Sequence, residues 1–503
     1  MNWTHPKMVR AVWDFSFQLL LTATLTLPMF LSCAHAPRVQ GVPATSSSAG
    51  VPWTPPREFH DDTRSLEPSV PLDDLKGKID RLTVADVVGI SLENNPQTRA
   101  AWANARAAAA SYGSARGDYF PTISLDGGIV RWDTPSLSQS SGKWDDSNEP
   151  LTDYNVSASV SWLLFDFGGR SAVVEEFRQA LLAADWTHNA AIQDMILEAE
   201  MAFFSYAGAK ALLEANRNSL AEAEANLNAA EERHRVGLAT SADVLQARTA
   251  RSEGQLVLEG TEGRVRVSRA ALAVSMGYPA HLSPQIDVVP PETLGLGLSQ
   301  SVDQLVEQAL SARPDLQASR VLALKSEAQV RRARSALLPS FSAQASYDRL
   351  WRESVPDYGD SYSGVLLLQI PLFSGFSRRY DLHMAEAEAE AAREEARGIE
   401  QTVIFEVFSS HSDFVTAKER VKTAADLLNS ASQSAEVALG QYKEGVGSIL
   451  DLLSAQKSLA LARAQQINAH LGWFVSLAQL AHDVGILGLR GDIPSAPGAF
   501  SPR

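Results

Sequence analysis

Only one cysteine, Cys33, occurs in 503 residues. No intramolecular disulfide, cysteine-based zinc knuckle or iron–sulfur site can therefore form. Basic blocks are missing as well: 59 acids outnumber 44 bases, for a formal charge of −15. That excludes nucleic acid as the main partner, because neutralising phosphates needs clustered Lys and Arg. Catalytic signatures are absent too. No His-Glu-x-x-His, Gly-x-Ser-x-Gly or Gly-x4-Gly-Lys-[Ser/Thr] occurs, and the ten histidines are scattered. No enzyme activity, cofactor or metal site is expected. The Glu-rich stretch 385–395 reads as a solvated helical face, and Gly168-Gly169 as a strand-to-helix corner. What is present is enough to fold: 45% apolar and 20% charged residues exclude general disorder.

Long apolar runs are confined to the start. Lys7 and Arg10 precede an uncharged, largely apolar stretch from Phe15 to Leu31, and Phe30-Leu31-Ser32-Cys33 follows. That order is the plan of a secretory signal over 1–32. Its ending resembles a bacterial lipobox, which implies lipidation of Cys33 as the mature N-terminus. An ordinary signal peptide cut after Ala34 or Ala36 is the alternative, and both readings export the protein. Residues 33–75 are rich in proline and carry a Ser46-Ser47-Ser48 run, the composition of an extended tether.

Beyond the tether the chain repeats itself. Asn95-Pro96 recurs as Arg313-Pro314, and Pro121-Thr122-Ile123-Ser124 as Pro339-Ser340-Phe341-Ser342, both 218 positions on. The Leu164-Phe165 strand exit recurs as Leu372-Phe373, and the stretch from Val236 to Leu245 as that from Glu444 to Leu453, both 208 positions on. A repeat this long is a duplicated module rather than a short-period solenoid. The modules are expected at 76–278 and 301–485, with a linker at 279–300 and a tail at 486–503.

Within each module two periods alternate. Val403, Val407, Ser410, Phe414, Ala417, Val421, Ala424, Leu428, Ala431, Ala435, Ala438 and Tyr442 step by four and three. The first copy has the same seam from Met195 through Leu213 and Leu220 to His234. A 3.5-residue period without proline predicts long coiled-coil helices over 170–236 and 376–443. Return helices are expected over 240–276 and 448–484. The other period is two. Tyr154-Asn155-Val156-Ser157-Ala158-Ser159-Val160-Ser161-Trp162 sets an apolar face against a serine-rich one, and Phe341 to Asp348 does the same. Strands are expected at 121–132, 151–164, 339–351 and 361–372, with loops at 133–150 and 352–360. Four strands cannot close a barrel in lipid, so protomers must share them.

Two copies of Gly-x5-Asp-[Val/Leu]-Leu-x-Ala, at Gly237 with Asp243 and at Gly445 with Asp451, lie in register with both strand pairs. On these marks the chain resembles the TolC-like outer-membrane efflux channels, from about Leu82 to Gly485, with Cys33 pointing to the lipoprotein branch. The resemblance implies a mainly helical fold with a transmembrane β part. In it a homotrimer builds a twelve-strand barrel in the outer-membrane lipid and a helical tunnel across the periplasm. It implies an exit duct for substrates passed on by an inner-membrane pump and a periplasmic adaptor. A duct for type I protein secretion is the alternative; a lipid-anchored coiled-coil scaffold is the alternative from another class. It further implies that Val236, Gly237, Leu238, Gly445 and Val446 contact the adaptor, and that Tyr442 and Asp451 gate the entrance. Gly447 and Ser454 stand where some members of the family carry an arginine and a second acidic ring.

Overall fold

The computed structural model describes residues 48–52, 82–132, 136–137, 144–145, 151–278, 280, 300–352 and 355–487. Cys33, the signal segment and most of the tether lie outside the described residues.

Each module opens with two helices whose start signals are local. In the first, α1 (Val84–Asn94) is capped by Thr83, and α2 (Pro96–Gly117) by Asn95, which accepts a hydrogen bond from the Gln97 amide. Proline follows each cap into the first helical position of α2 and of its copy, where the missing N–H is no loss. Strand β1 (Thr122–Trp132) comes next, then the two-residue strands β2 (Ser136–Leu137) and β3 (Trp144–Asp145), then β4 (Leu151–Phe165). The long helix α3 (Gly169–Arg235) and return helix α4 (Ser241–Ser275) finish the module. The second module runs α5 (Val302–Ala312), α6 (Pro314–Ser335), β5 (Ser340–Arg352), β6 (Val355–Gln369), α7 (Ser377–Lys443) and α8 (Ile449–Asp483).

The four long strands form one antiparallel sheet in the order β1-β4-β5-β6. Register puts Ile123 beside Val160, Leu125 beside Ala158, and Ile129 beside Tyr154, so the apolar positions share a face. Ile123, Leu125 and Ile129 are each more than 70% exposed on it. The opposite face is hydroxyl-rich, with Ser124 and Ser159 2.7 Å apart and Ser346 and Ser363 3.0 Å apart. An apolar face left this bare is what lipid contact requires. Three expectations change here. The 352–360 segment is not a loop: β6 starts at Val355 and pairs that residue with Arg352 across a register shift. It also stops at Gln369, short of the expected 372, because Pro371 cannot donate to a ladder. The 133–150 loop holds a small hairpin, with Ser136 opposite Asp145 and Leu137 opposite Trp144.

Strand passes to helix through two residues in left-handed conformation, Phe167 (φ 52°) with Gly168 (φ 91°), and Gly375 (φ 62°) with Phe376 (φ 66°). Arginines pin both corners. Arg170 donates to the carbonyls of Leu163 (2.6 Å) and Asp118 (3.2 Å), and its counterpart Arg378 to that of Ala336 (2.6 Å).

The seams read from the sequence face neighbouring helices. Val403, Val407, Phe414, Ala424, Ala431, Ala435 and Tyr442 are buried, and Ala417, Val421, Leu428 and Ala438 pack partly buried against them. In the first copy Met195, Ala199, Tyr206, Leu220 and Ala230 are buried, and Asn216 donates to Thr261 of α4 (2.8 Å). His234 departs from this pattern and is exposed.

Ionisable groups tie the two modules together higher up. His482 of α8 lies between Asp194 of α3 (2.8 Å) and Asp483 (3.0 Å). Burial works against its charge, but the hydrogen bonds it donates to the Asp194 and Asp483 carboxylates prevail and lift it to about 9. Asp185 of α3 is fully buried, and burial raises it to about 8. One turn on, His188 Nε2 lies 2.9 Å from the carbonyl of Ala49, which docks residues 48–52 onto α3.

Candidate functional site

The helical tips hold most of the sequence-predicted site residues. Each long helix ends in a glycine of positive φ, Gly237 at 79° and Gly445 at 78°, a conformation that a Cβ would strain. The amide of Leu238 closes back on the Arg233 carbonyl (2.8 Å), and that of Val446 on the Gln441 carbonyl (3.0 Å). This geometry turns the intervening side chains outward: Val236 is 61% exposed, Leu238 75% and Val446 80%. The apolar residues read from the sequence as adaptor contacts are thus exposed at the loop ends.

The return helices start in capping boxes. Thr240 and Asp243 exchange hydrogen bonds, and Ser448 and Asp451 do likewise, with Ser448 Oγ donating to Asp451 (2.7 Å). Asp451 is exposed, so its carboxylate caps the helix and meets solvent together. Tyr442 is placed elsewhere. It is buried among Ala230, Ala247, Ile449 and Leu452 at the joint between the two modules. The structure therefore does not bring the two expected gate residues into one contact.

A residue missed in the sequence completes this joint. The Arg233 guanidinium sits over the Tyr442 ring, 4.4 Å from its centroid, and donates to the Lys443 carbonyl at 2.9 Å. First and second modules are thus clipped together beside their tips. A cavity of about 340 Å³ opens next to the clip, lined by Asn226, Arg233, Leu439, Tyr442 and Gln456 among others. The Tyr442 hydroxyl is buried beside it without a hydrogen-bond partner. Farther along the joint Asn226 donates to Gln456, and Arg463 pairs with Glu222 at 3.1 Å. Gly447 leaves no easy space for a larger side chain. A Cβ there would lie 2.9 Å from the Gln441 Cβ.

The comparisons agree with this architecture. A model of the family described as outer membrane efflux protein matches residues 87–278 and 305–485. The chain belongs to the outer membrane efflux protein family. Similar curated proteins include protein CyaE of Bordetella pertussis, 27% identical over 78% of this chain and 81% of the relative. The outer membrane protein OprJ of Pseudomonas aeruginosa is 25% identical over 79% of this chain and 83% of its own. Among solved structures, a membrane protein from Pseudomonas aeruginosa superposes with a TM-score of 0.72 at 25% identity, covering 80% of this chain and 93% of that one. The outer membrane protein VceC of Vibrio cholerae superposes with a TM-score of 0.71 at 20% identity, covering 80% and 96%. This family member is an outer-membrane channel protein of an efflux system, with a β part for the membrane and a helical part for the periplasm. Its family transports rather than catalyses. The scaffold alternative is overturned by family membership together with the bare apolar face of the sheet.

Proposed function

We propose that the protein is the passive exit duct of a tripartite efflux system, working as a homotrimer, with no catalytic step of its own. The observation that carries this is the unclosed sheet. Within one chain β1 and β6 each keep a free edge, and a lipid-facing sheet cannot leave its edges unpaired. Three copies supply twelve strands and close it. A periplasmic adaptor carried by an inner-membrane pump meets the tips through Val236, Gly237, Leu238, Gly445 and Val446. Tyr442 and Asp451 govern the entrance: Tyr442 joins the two modules, and Asp451 places three carboxylates around one axis. Efflux is favoured over protein secretion because several relatives bear efflux-pump names, such as the probable efflux pump outer membrane protein TtgC of Pseudomonas putida.

Cysteines at Leu238 and Val446 test the tip assignment. In intact cells each should cross-link to a periplasmic protein anchored in the inner membrane; silence at both sites overturns it. Lipidation of Cys33 is a separate part of the proposal. Mass spectrometry of the mature protein should find an acylated Cys33 at the N-terminus, and an unmodified chain beginning at Ala34 or later refutes it.

A further inference from the structure

The hydroxyl-rich face of the sheet carries charge at one level only. Register sets its residues in rows across all four strands. One row is Ser124, Ser159, Ser346 and Ser363, four hydroxyls side by side. Two residues farther from the helices the row is Asp126, Ser157, Asp348 and Ser361, where carboxylates and hydroxyls alternate. Both aspartates share the side of Ser124 and Ser346, because residues two apart on a strand point the same way. The charged row lies four residues into β1, about 13 Å along the strand from its helix-side end.

Nothing on this face balances the two carboxylates. Thr122, Ser161, Gln344 and Val365 form the row on the helix side of the serines, and Gly128, Asn155, Leu350 and Gly359 the row beyond the aspartates. No Lys or Arg occurs among the described residues of these four rows. The next row outward brings Arg352 beside Asp153, and that arginine is committed there by hydrogen bonds of 2.7 and 2.9 Å. Arg131 and Arg349 alternate to the apolar side, where Arg349 lies 3.5 Å from Asp360. Asp348 is fixed in direction: Ser346 Oγ donates to it at 2.9 Å, and the Ser157 hydroxyl hydrogen-bonds it from the neighbouring strand. Asp126 is exposed. With strands about 4.8 Å apart, the two carboxylates stand about 10 Å from each other across Ser157. That is close to the Debye length of about 8 Å at physiological salt, so their fields overlap.

We propose that Asp126 and Asp348 set the charge class of solute that the barrel passes, favouring organic cations over anions of equal size. This rests on the homotrimeric duct reading and names a cargo class for it. In a closed barrel the apolar face meets lipid, so the hydroxyl face lines the lumen. Three copies put six carboxylates around that lumen at one level. Carboxylates fixed around a water-filled passage enrich cations and deplete anions. The serine row offers hydrogen bonds to solutes of either charge and discriminates against neither. Asp451 lies beyond the far end of α7, whose 67 residues span about 100 Å, so the two acidic levels act separately.

The test is bilayer recording of the full-length protein inserted in one orientation, with spermine as the cationic probe. Added on the barrel side, spermine should block the wild type. The double variant Asp126→Asn/Asp348→Asn should need at least about tenfold more there, with block from the tip side unchanged. Under a tenfold KCl gradient near 0.1 M, the cation-over-anion permeability ratio should fall at least about twofold in the double variant. In the wild type it should fall likewise near 1 M, where the Debye length shrinks to about 3 Å. Ser159→Ala keeps both charges and should match the wild type. An assembled double variant with wild-type barrel-side block and permeability ratio overturns the belt, as does an equal loss in Ser159→Ala. Native mass spectrometry that finds no trimer in the wild type overturns the duct reading instead. Should the double variant fail to assemble, Asp126→Asn alone decides, with a smaller shift in the same direction expected and none overturning the proposal.

Discussion

Replacing Arg233 with Gln separates the joint between the two modules without touching either tip glycine. Two interactions are lost together. The stacked guanidinium over Tyr442 contributes about 0.5–1 kcal/mol at a partly exposed site. The charged hydrogen bond to the Lys443 carbonyl contributes about 1.5 kcal/mol. The sum, about 2 kcal/mol, corresponds to roughly a 30-fold change in an equilibrium constant per protomer. If parting of the two modules at their tips is what widens the entrance, Arg233→Gln shifts the closed-to-open ratio by that factor in each chain. Single-channel recording of the purified protein in planar bilayers reads this directly. The variant should spend far longer in its high-conductance level, while native mass spectrometry finds the same assembly as wild type. Arg233→Lys keeps the charge but not the planar fork, and it should fall between the two. An assembled Arg233→Gln channel with wild-type open fraction would refute the clip and leave Arg233 a packing residue.

Asp451→Asn should relieve block by multivalent cations applied at the periplasmic side, since three carboxylates on one axis concentrate such ions; Asp243→Asn should relieve it less, and equal block in Asp451→Asn and wild type would rule out an acidic ring. Asparagine can still cap the helix, so assembly should survive. Asp185 is held near 8 by burial against an ordinary 3.8, so the folded protein keeps a proton that the unfolded chain releases across that window. Stability should therefore fall as pH rises from about 4 to 8, by an amount on the order of a few kcal/mol, and Asp185→Asn should flatten the slope of melting temperature against pH. An unchanged slope would mean that Asp185 does not titrate there. Leu428→Asp puts a charge into the seam beside Ala431 and Leu459 and should cost about 3 kcal/mol or more; wild-type melting would remove Leu428 from the packed seam.

Local signals carried most of the fold. The seam from Val403 to Tyr442 was legible because an unbroken 3.5-residue period without proline admits little but a long packed helix. Tyr154 to Trp162 was legible because alternating serine and apolar residues suit a two-faced strand. The start of β6 was hidden. Val355, Pro356, Asp357 and Gly359 carry the residues of a turn, yet Pro356 stands at the very start of β6, where a strand tolerates a proline. The tips were legible through Gly237 and Gly445. Arg233 was not. It sits in the polar run Glu231-Glu232-Arg233-His234-Arg235, and its partners Tyr442 and Lys443 lie in the other module. Periodicity put His234 on the seam, but the helix end turns His234 outward and Arg233 inward toward the ring.

That inward turn breaks the symmetry of the duplication. Counting back from the tip glycines, Arg233 corresponds to Gln441 and Arg235 to Lys443. If the modules were interchangeable, Gln441 would reach toward the first helix as Arg233 reaches toward the second. Instead the Gln441 carbonyl receives the amides of both Val446 and Gly447, at 3.0 Å each, and tightens its own turn. Gly447 makes the double closure possible, since a Cβ there would press on Gln441. Both tips close through their own backbone, the second with two amides on one carbonyl, and the first in addition lays a side chain across to its neighbour. One clip per protomer follows, and three per trimer. An arginine at 447 would disturb the turn that presents the Lys443 carbonyl, so the cation that joins the modules comes from the first helix.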